Sequence, residues 1–181
     1  MATAIEHRSA NSLSTFLAGL QAGMVGVWWM LAWMGASAVW QRHSFWAPEN
    51  LLASVFYGNT AIRWGFSTST VSGLALYVLL YSLLGAGVAM AVAGRLARGR
   101  LALASVAFAL CWYYAAFHLA AKAAWPLIAL LDTERTTVLG HALYGALLAR
   151  FPVYLPQEPE VESAPEIEAP ASEPPAGMPP P

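Results

Sequence analysis

Apolar positions in this 181-residue chain gather into long blocks, and the charged residues fall between them. The first block runs from Ser9 to Gln41 without one Asp, Glu, Lys or Arg and is dense in Leu, Met, Val and Trp. A helix needs roughly 20 apolar residues to cross a hydrocarbon layer about 30 Å thick. This block exceeds that length and predicts a transmembrane span over residues 14–39. A second block, uncharged between Arg63 and Arg95, predicts a span over 70–94. A third, interrupted by Lys122 and stopped by Pro126, predicts a span over 101–125. The fourth lies between Arg135 and Arg150, over 136–149. At 1.5 Å per residue it reaches only about 21 Å. It crosses if Arg150 snorkels and Phe151 and Tyr154 extend it into the interface; otherwise it is half-inserted.

The pattern changes twice outside these blocks. Within Gln41–Ser69, Pro48 stands where a first-turn helix proline would. Leu51, Leu52, Val55 and Phe56 then recur on one side, and Gly58-Asn59 reads as a stop. The expectation is an interfacial helix over 48–58 on the outer face, with a small globular lid as the competing form. From Pro152 onward the periodicity disappears, and ten of the twelve prolines fall there among Glu, Ala and Ser. Such a segment buries too little apolar surface to offset its ordering entropy. Residues 152–181 therefore predict a disordered, acidic Pro/Glu-rich tail, either a docking tether or a solvated end. The expected organisation is an N-terminus at 1–12, a transmembrane domain at 13–151 and the tail. The fold class is all-α, a polytopic membrane four-helix bundle with an outer interfacial helix.

Composition sharpens this reading. The chain is 58% hydrophobic and 10% charged, against about 25% charged in ordinary soluble domains. Its net charge of −1 conceals a body at +5 up to Leu155 and a tail at −6 beyond it. Arg95, Arg98 and Arg100 crowd the turn between spans two and three, and basic residues in short loops stay cytoplasmic. The expected location is the bacterial inner membrane, multi-pass, with both termini cytoplasmic. Trp40, Phe45, Trp46, Trp64 and Phe66 would form an interfacial belt on the opposite side. The first block is about twice the 7–15 residues of a signal-peptide core, so it reads as an anchor. A lone Cys111 excludes an internal disulfide. No Cys/His spacing suggests metal and no basic patch suggests nucleic acid. The implied partners are the lipid bilayer and other membrane-protein subunits.

Lipid tails are as apolar as leucine, so helices in a bilayer associate through small residues and interhelical hydrogen bonds. Gly19 and Gly23 form a GxxxG row, flanked by Ala18, Ala22 and Gly26. Gly85, Ala89 and Ala93 line span two; His141, Gly145 and Ala149 line span four. These rows favour contacts within the bundle over a homodimer. Gly23 is expected at a close contact and Val27 at a tolerant position.

Histidines and charges inside a membrane are costly and count as candidate sites. Counted along the helices, His118 and His141 both fall toward the outer side. The sharpest hypothesis is a bis-histidine site for haem b or a chlorophyll-type pigment between spans three and four. Lys122, one turn from His118, argues against it. The plainer reading is that each histidine bonds a neighbouring helix and fixes register; a quinone or lipid pocket is the third. Glu49, Asp132 and Glu134 are expected near the surface, so no carboxylate serves a proton-coupled carrier. No G-x-S-x-G, H-E-x-x-H or buried Asp pair points to a hydrolase. Ser72, Ser82 and Ser105 are expected to bond their own helix backbone.

Several short patterns also resemble a broad family of uncharacterised four-span bacterial inner-membrane proteins. They are Gly19-Leu20-Gln21-Ala22-Gly23, Trp46-Ala47-Pro48 with Leu51-Leu52-Ala53-Ser54, Gly85, Trp125-Pro126 and Gly140-His141-Ala142-Leu143-Tyr144-Gly145. The likeness covers about Phe16–Phe151, and what it implies is architecture, with no activity attached. The expected function is a non-catalytic accessory or assembly subunit of a larger membrane complex, without a cofactor. The alternatives are an electron-transfer subunit using His118 and His141, and a small pore or lipid-handling protein.

Overall fold

The computed structural model describes residues 2–62, 65–121 and 133–156, with 123, 125, 128 and 131 between them, and side chains from residue 12 onward. Arg63, Trp64, Lys122, Pro126, Asp132 and the part of the expected 152–181 tail from 157 onward lie outside the described residues, and so do the expectations placed on them; the start of that segment is not disordered but forms a 3-10 turn over Phe151–Tyr154 packed on the first helix. Every regular element described is helical. Helix α1 spans Ala2–Trp40, α2 spans Ala47–Tyr57 and α3 spans Thr68–Val92. Helix α4 covers Arg98–Tyr113 and runs on as a π-helical stretch, Tyr114–Ala121; α5 covers Glu134–Leu148. Short 3-10 turns follow α2 at Gly58–Ala61 and α5 at Phe151–Tyr154.

Three stretches, Ser12–Trp40, Thr68–Val92 and Arg98–Ala121, are long and apolar enough to cross a membrane. That marks a membrane protein. Helix α5, at 15 residues, is about 22 Å long.

Local chemistry explains the ends. Pro48 sits in the first turn of α2, where its missing N–H costs nothing. Ser67 and Thr70 form a capping box that starts α3, with the Ser67 N–H donating to Thr70 Oγ1 at 2.9 Å. Helix α3 stops at a turn where Gly94 takes φ +69°, a left-handed conformation that a side chain would strain. The Arg95 guanidinium then donates to the Ala91 carbonyl at the helix end, where a cation is favoured.

The helices pack in the order α3–α1–α5–α4, with α2 laid against α3. Helices α3 and α4 are consecutive in the chain yet make at most a marginal contact. The physical reason lies in where the small residues go. Gly85, Ala86 and Ala89 of α3 all meet Gly19 of α1, and Gly145 of α5 meets Ser105 and Val106 of α4. Nothing comparable joins α3 to α4. The core sits among α1, α3 and α5, where Val27, Met30, Tyr77, Tyr81, Tyr144 and Leu148 are buried. Trp28, Trp29, Leu79, Leu83, Leu103 and Leu119 point outward, as lipid-facing side chains do.

Candidate functional site

At the end of the bundle away from the arginine turn, α2 is clamped onto α3. A Cβ on Gly73 would run into the Glu49 carbonyl and lie 3.3 Å from the Ala53 nitrogen. The two backbones therefore touch. Asn50 joins the same contact, accepting from Thr70 Oγ1 at 2.6 Å and donating from Nδ2 to the Gly65 carbonyl at 3.0 Å. The capping hydroxyl of α3 thus also holds α2. Glu49, expected near the surface, is in fact 1% exposed, and its Oε2 has no hydrogen-bond partner. Burial pushes its carboxyl up to about 7, opposed by a smaller lowering from its own backbone N–H. The expectation placed it near the membrane surface, away from the midplane; within that region the approach permitted by Gly73 removes the solvent.

Deeper along α3 lies an aromatic and imidazole cluster. His141 is 0% exposed. Its Nδ1 sits 2.7 Å from the Thr137 carbonyl and its Nε2 lies 2.5 Å from the Tyr81 hydroxyl. A carbonyl only accepts, so Nδ1 carries the proton, and Nε2 accepts from the Tyr81 O–H. Both ring nitrogens are engaged. Tyr144 donates to the Tyr81 carbonyl at 2.7 Å, so α3 and α5 are tied by two bonds across the core. The rings of Tyr81, Tyr113 and Phe117 lie 5.6, 5.1 and 5.9 Å from His141.

His118, on the π-helical stretch, is placed differently. It stacks on Tyr114 at 4.8 Å and its Nε2 faces Glu134 Oε1 at 3.8 Å, at an exposed edge. Tyr113 borders both histidines, 5.7 Å from His118 and 5.1 Å from His141. An axial haem or pigment ligand needs an open ring nitrogen. As arranged, His141 offers none without giving up Tyr81 or Thr137. Among the described residues no cluster of three His, Cys, Asp or Glu is placed to hold a metal ion.

The glycines lie where backbones meet. A Cβ on Gly23 would stand 2.7 Å from the Tyr81 carbonyl, and one on Gly85 2.6 Å from the Gly19 carbonyl. A Cβ on Gly26 would press the Tyr144 ring at 2.9 Å, and one on Gly145 would sit 2.7 Å from the Ser105 carbonyl. Val27, expected at a tolerant position, is 0% exposed; its neighbours on the same turn, Trp28 and Trp29, take the outer face instead.

Between these regions is a cavity of about 300 Å³. Its walls come from the end of α1 (Met34, Ala38, Gln41), from α2 (Asn50, Leu51, Leu52), from Tyr77 and Phe117, and from the start of α5 (Thr136, Thr137). Thr137 connects it to His141. Composition offers no trace of this space; Tyr77 and Tyr81, one turn apart in an otherwise aliphatic helix, were the available signal. Comparison with protein-family models, curated proteins and solved structures finds no match to this chain.

Proposed function

We propose that this chain is a four-span, non-catalytic subunit that supports the assembly of other proteins in a bacterial inner membrane. The observation that carries the reading is that His141, the most buried charged or imidazole side chain among the described residues, has both nitrogens committed to interhelical and intrahelical bonds. An axial ligand would need one of them free, and a proton relay would need a titratable partner beyond Nδ1, where the Thr137 backbone carbonyl stands. The other charged or imidazole residues described on the long helices stand toward their ends: Glu6, His7 and Arg8 on α1, Arg98 and Arg100 at the start of α4, His118 near the end of its π-helical run, and Glu134 and Arg135 at the start of α5. Helix α4 supports the docking role. Among the long helices it packs chiefly on α5, and Leu103 and Leu119 are 73% and 62% exposed. Helix α5 completes the fourth crossing with help from Phe151 and Tyr154, and the arginine turn faces the cytoplasm.

The test is gentle purification from native membranes, followed by mass spectrometry of co-purifying chains and an absorption spectrum. The expected result is a colourless protein with stoichiometric membrane partners. A haem or pigment spectrum lost in both His118→Ala and His141→Ala would replace this reading with electron transfer. A colourless chain that purifies alone would overturn both.

A further inference from the structure

The cavity at the α2 end has a chemistry of its own, apart from any docking role. Its size is about twice that of an engineered apolar cavity that takes up benzene, roughly 150 Å³, and it falls at the lower bound of small-molecule sites. Its lining is graded. Met34, Tyr77 and Phe117 form the apolar part, while Gln41, Asn50 and Thr136 supply amides and a hydroxyl. Gln41 lies seven residues along from Met34, about 10 Å by helical rise. The polar end is therefore the end of the bundle that carries Trp40, Phe45, Trp46 and Phe66. Those aromatic side chains mark a membrane interface.

His43 is the one basic side chain described in the lining. Among the described residues no Lys, Arg, Asp or Glu contributes to it. A phosphate or carboxylate placed there would be desolvated with no permanent cation beside it, the His43 imidazole being its sole basic neighbour described. A neutral oxygen-bearing group would instead find partners. Thr136 Oγ1 accepts from Gln41 Nε2 at 3.4 Å, which leaves its own O–H to donate. The Gln41 bonds to Ser37, Thr136 and Thr133 are all 3.2–3.4 Å long, weak enough to be exchanged for a ligand.

We propose that this cavity binds the neutral, carbonyl- or hydroxyl-bearing head of a membrane amphiphile, with Gln41 and Thr136 at the head and the apolar wall of Met34, Tyr77 and Phe117 along its body. Two kinds of molecule share that chemistry, a diacylglycerol-type lipid and a benzoquinone with a hydrocarbon tail.

The full-length protein in phosphatidylcholine nanodiscs tests this by thermal unfolding. Equal mole fractions of dioleoylglycerol, a decyl-substituted benzoquinone or phosphatidylglycerol are added. A ligand that binds only the folded state raises the midpoint, by several degrees once it is well above its Kd. The expected result is such a rise with a neutral probe, and whichever probe gives it identifies the source. Ala38→Phe, which fills the space, should abolish the rise. Thr136→Val, which removes the donor while keeping the backbone carbonyl that accepts from Trp33, should shrink it. If Ala38→Phe does not fold, Thr136→Val decides. No rise with either neutral probe would overturn the proposal. So would an equal rise with phosphatidylglycerol, or a rise that neither variant changes. None of these outcomes depends on whether the chain has protein partners.

Discussion

The two halves of the bundle are held together by different means. Toward the arginine turn, α1 and α3 meet backbone to backbone through Gly19, Gly23 and Gly85. Toward α2 the core is filled instead by Met30, Met34, Tyr77 and the Tyr81 ring, with Met30 and Met34 against Gly140 of α5. In that half, polar tips must find partners and a cavity is left over. Within a bilayer there is little hydrophobic gain in pressing one apolar helix on another, so contact depends on close fit and on hydrogen bonds. Toward the arginine turn the first predominates; toward α2 hydrogen bonds join the close Gly73–Glu49 approach. Close fit leaves no room for a ligand. Hydrogen-bonded aromatics fill space imperfectly, which is why the candidate site lies where it does.

The comparison is broken most directly by adding bulk where backbones touch. Gly23→Leu would force its side chain into the Tyr81 carbonyl and Ser82, and Gly73→Leu would drive α2 off α3. Overpacking of this kind costs about 1–3 kcal/mol where the surroundings can shift, and here the obstacles are backbone. Loss of the folded protein is expected for Gly23→Leu. Met24→Leu, on the neighbouring outward position, should change the unfolding midpoint little. Gly73→Leu should spare the α1–α3 contact while releasing α2, read as faster proteolysis between α1 and α3. Equal tolerance at Gly23 and Met24 would mean the glycine row carries no close contact.

The second expectation concerns pH and the α2 half alone. Burial pushes the Glu49 carboxyl from its ordinary 4.5 up to about 7 in the folded state. Between those values the folded state holds the proton more tightly than the unfolded state. Raising pH through that window therefore favours unfolding. The contribution is fully present below about 4.5, falls from there to about 7, and is flat beyond. By the conversion of about 1.4 kcal/mol per pKa unit it amounts to at most about 3 kcal/mol. Glu49→Gln should remove this slope, so the variant gains on the parent as pH rises from 5 to 8 in thermal scans. A parent that instead gains on the variant over that range would show that Glu49 is paired and charged.

Much of the fold could be read in the chain, because long uncharged blocks leave few alternatives. The spans expected at 14–39, 70–94 and 101–125 lie on the three helices long and apolar enough to cross a membrane. What could not be read was lateral order. Small-residue rows say that a face is smooth but not which helix it meets, and the packing order α3–α1–α5–α4 is set by matching the rows in three dimensions. The burial of Glu49 was illegible for a related reason. Its burial comes from Gly73, twenty-four positions away, and no local pattern links the two. The histidines show the same limit. Helical counting put both toward one side, yet it did not indicate that His141 would be bonded to Tyr81 while His118 faces Glu134.

The smallest expected effects separate a satisfied polar group from an idle one within a single turn of α3. Tyr81 donates to His141, so Tyr81→Phe keeps the ring and leaves a buried imidazole nitrogen unpaired. Ser82, its neighbour, is buried with no partner for its hydroxyl, so Ser82→Ala removes nothing that is in use. An unsatisfied buried acceptor costs about 1–3 kcal/mol in water-soluble proteins, and interhelical bonds in membranes average nearer 0.6. Tyr81→Phe should therefore lower the unfolding midpoint in nanodiscs measurably, and Ser82→Ala should leave it unchanged or slightly raised. The Tyr144 bond to the Tyr81 carbonyl survives in both, so the two variants differ chiefly at His141. Equal midpoints would mean that His141 recruits another donor once Tyr81 is gone, water entering by way of Thr137 and the cavity being the nearest source. The α2 half would then be held by fit alone, like the arginine-turn half, and the contrast between the two would disappear.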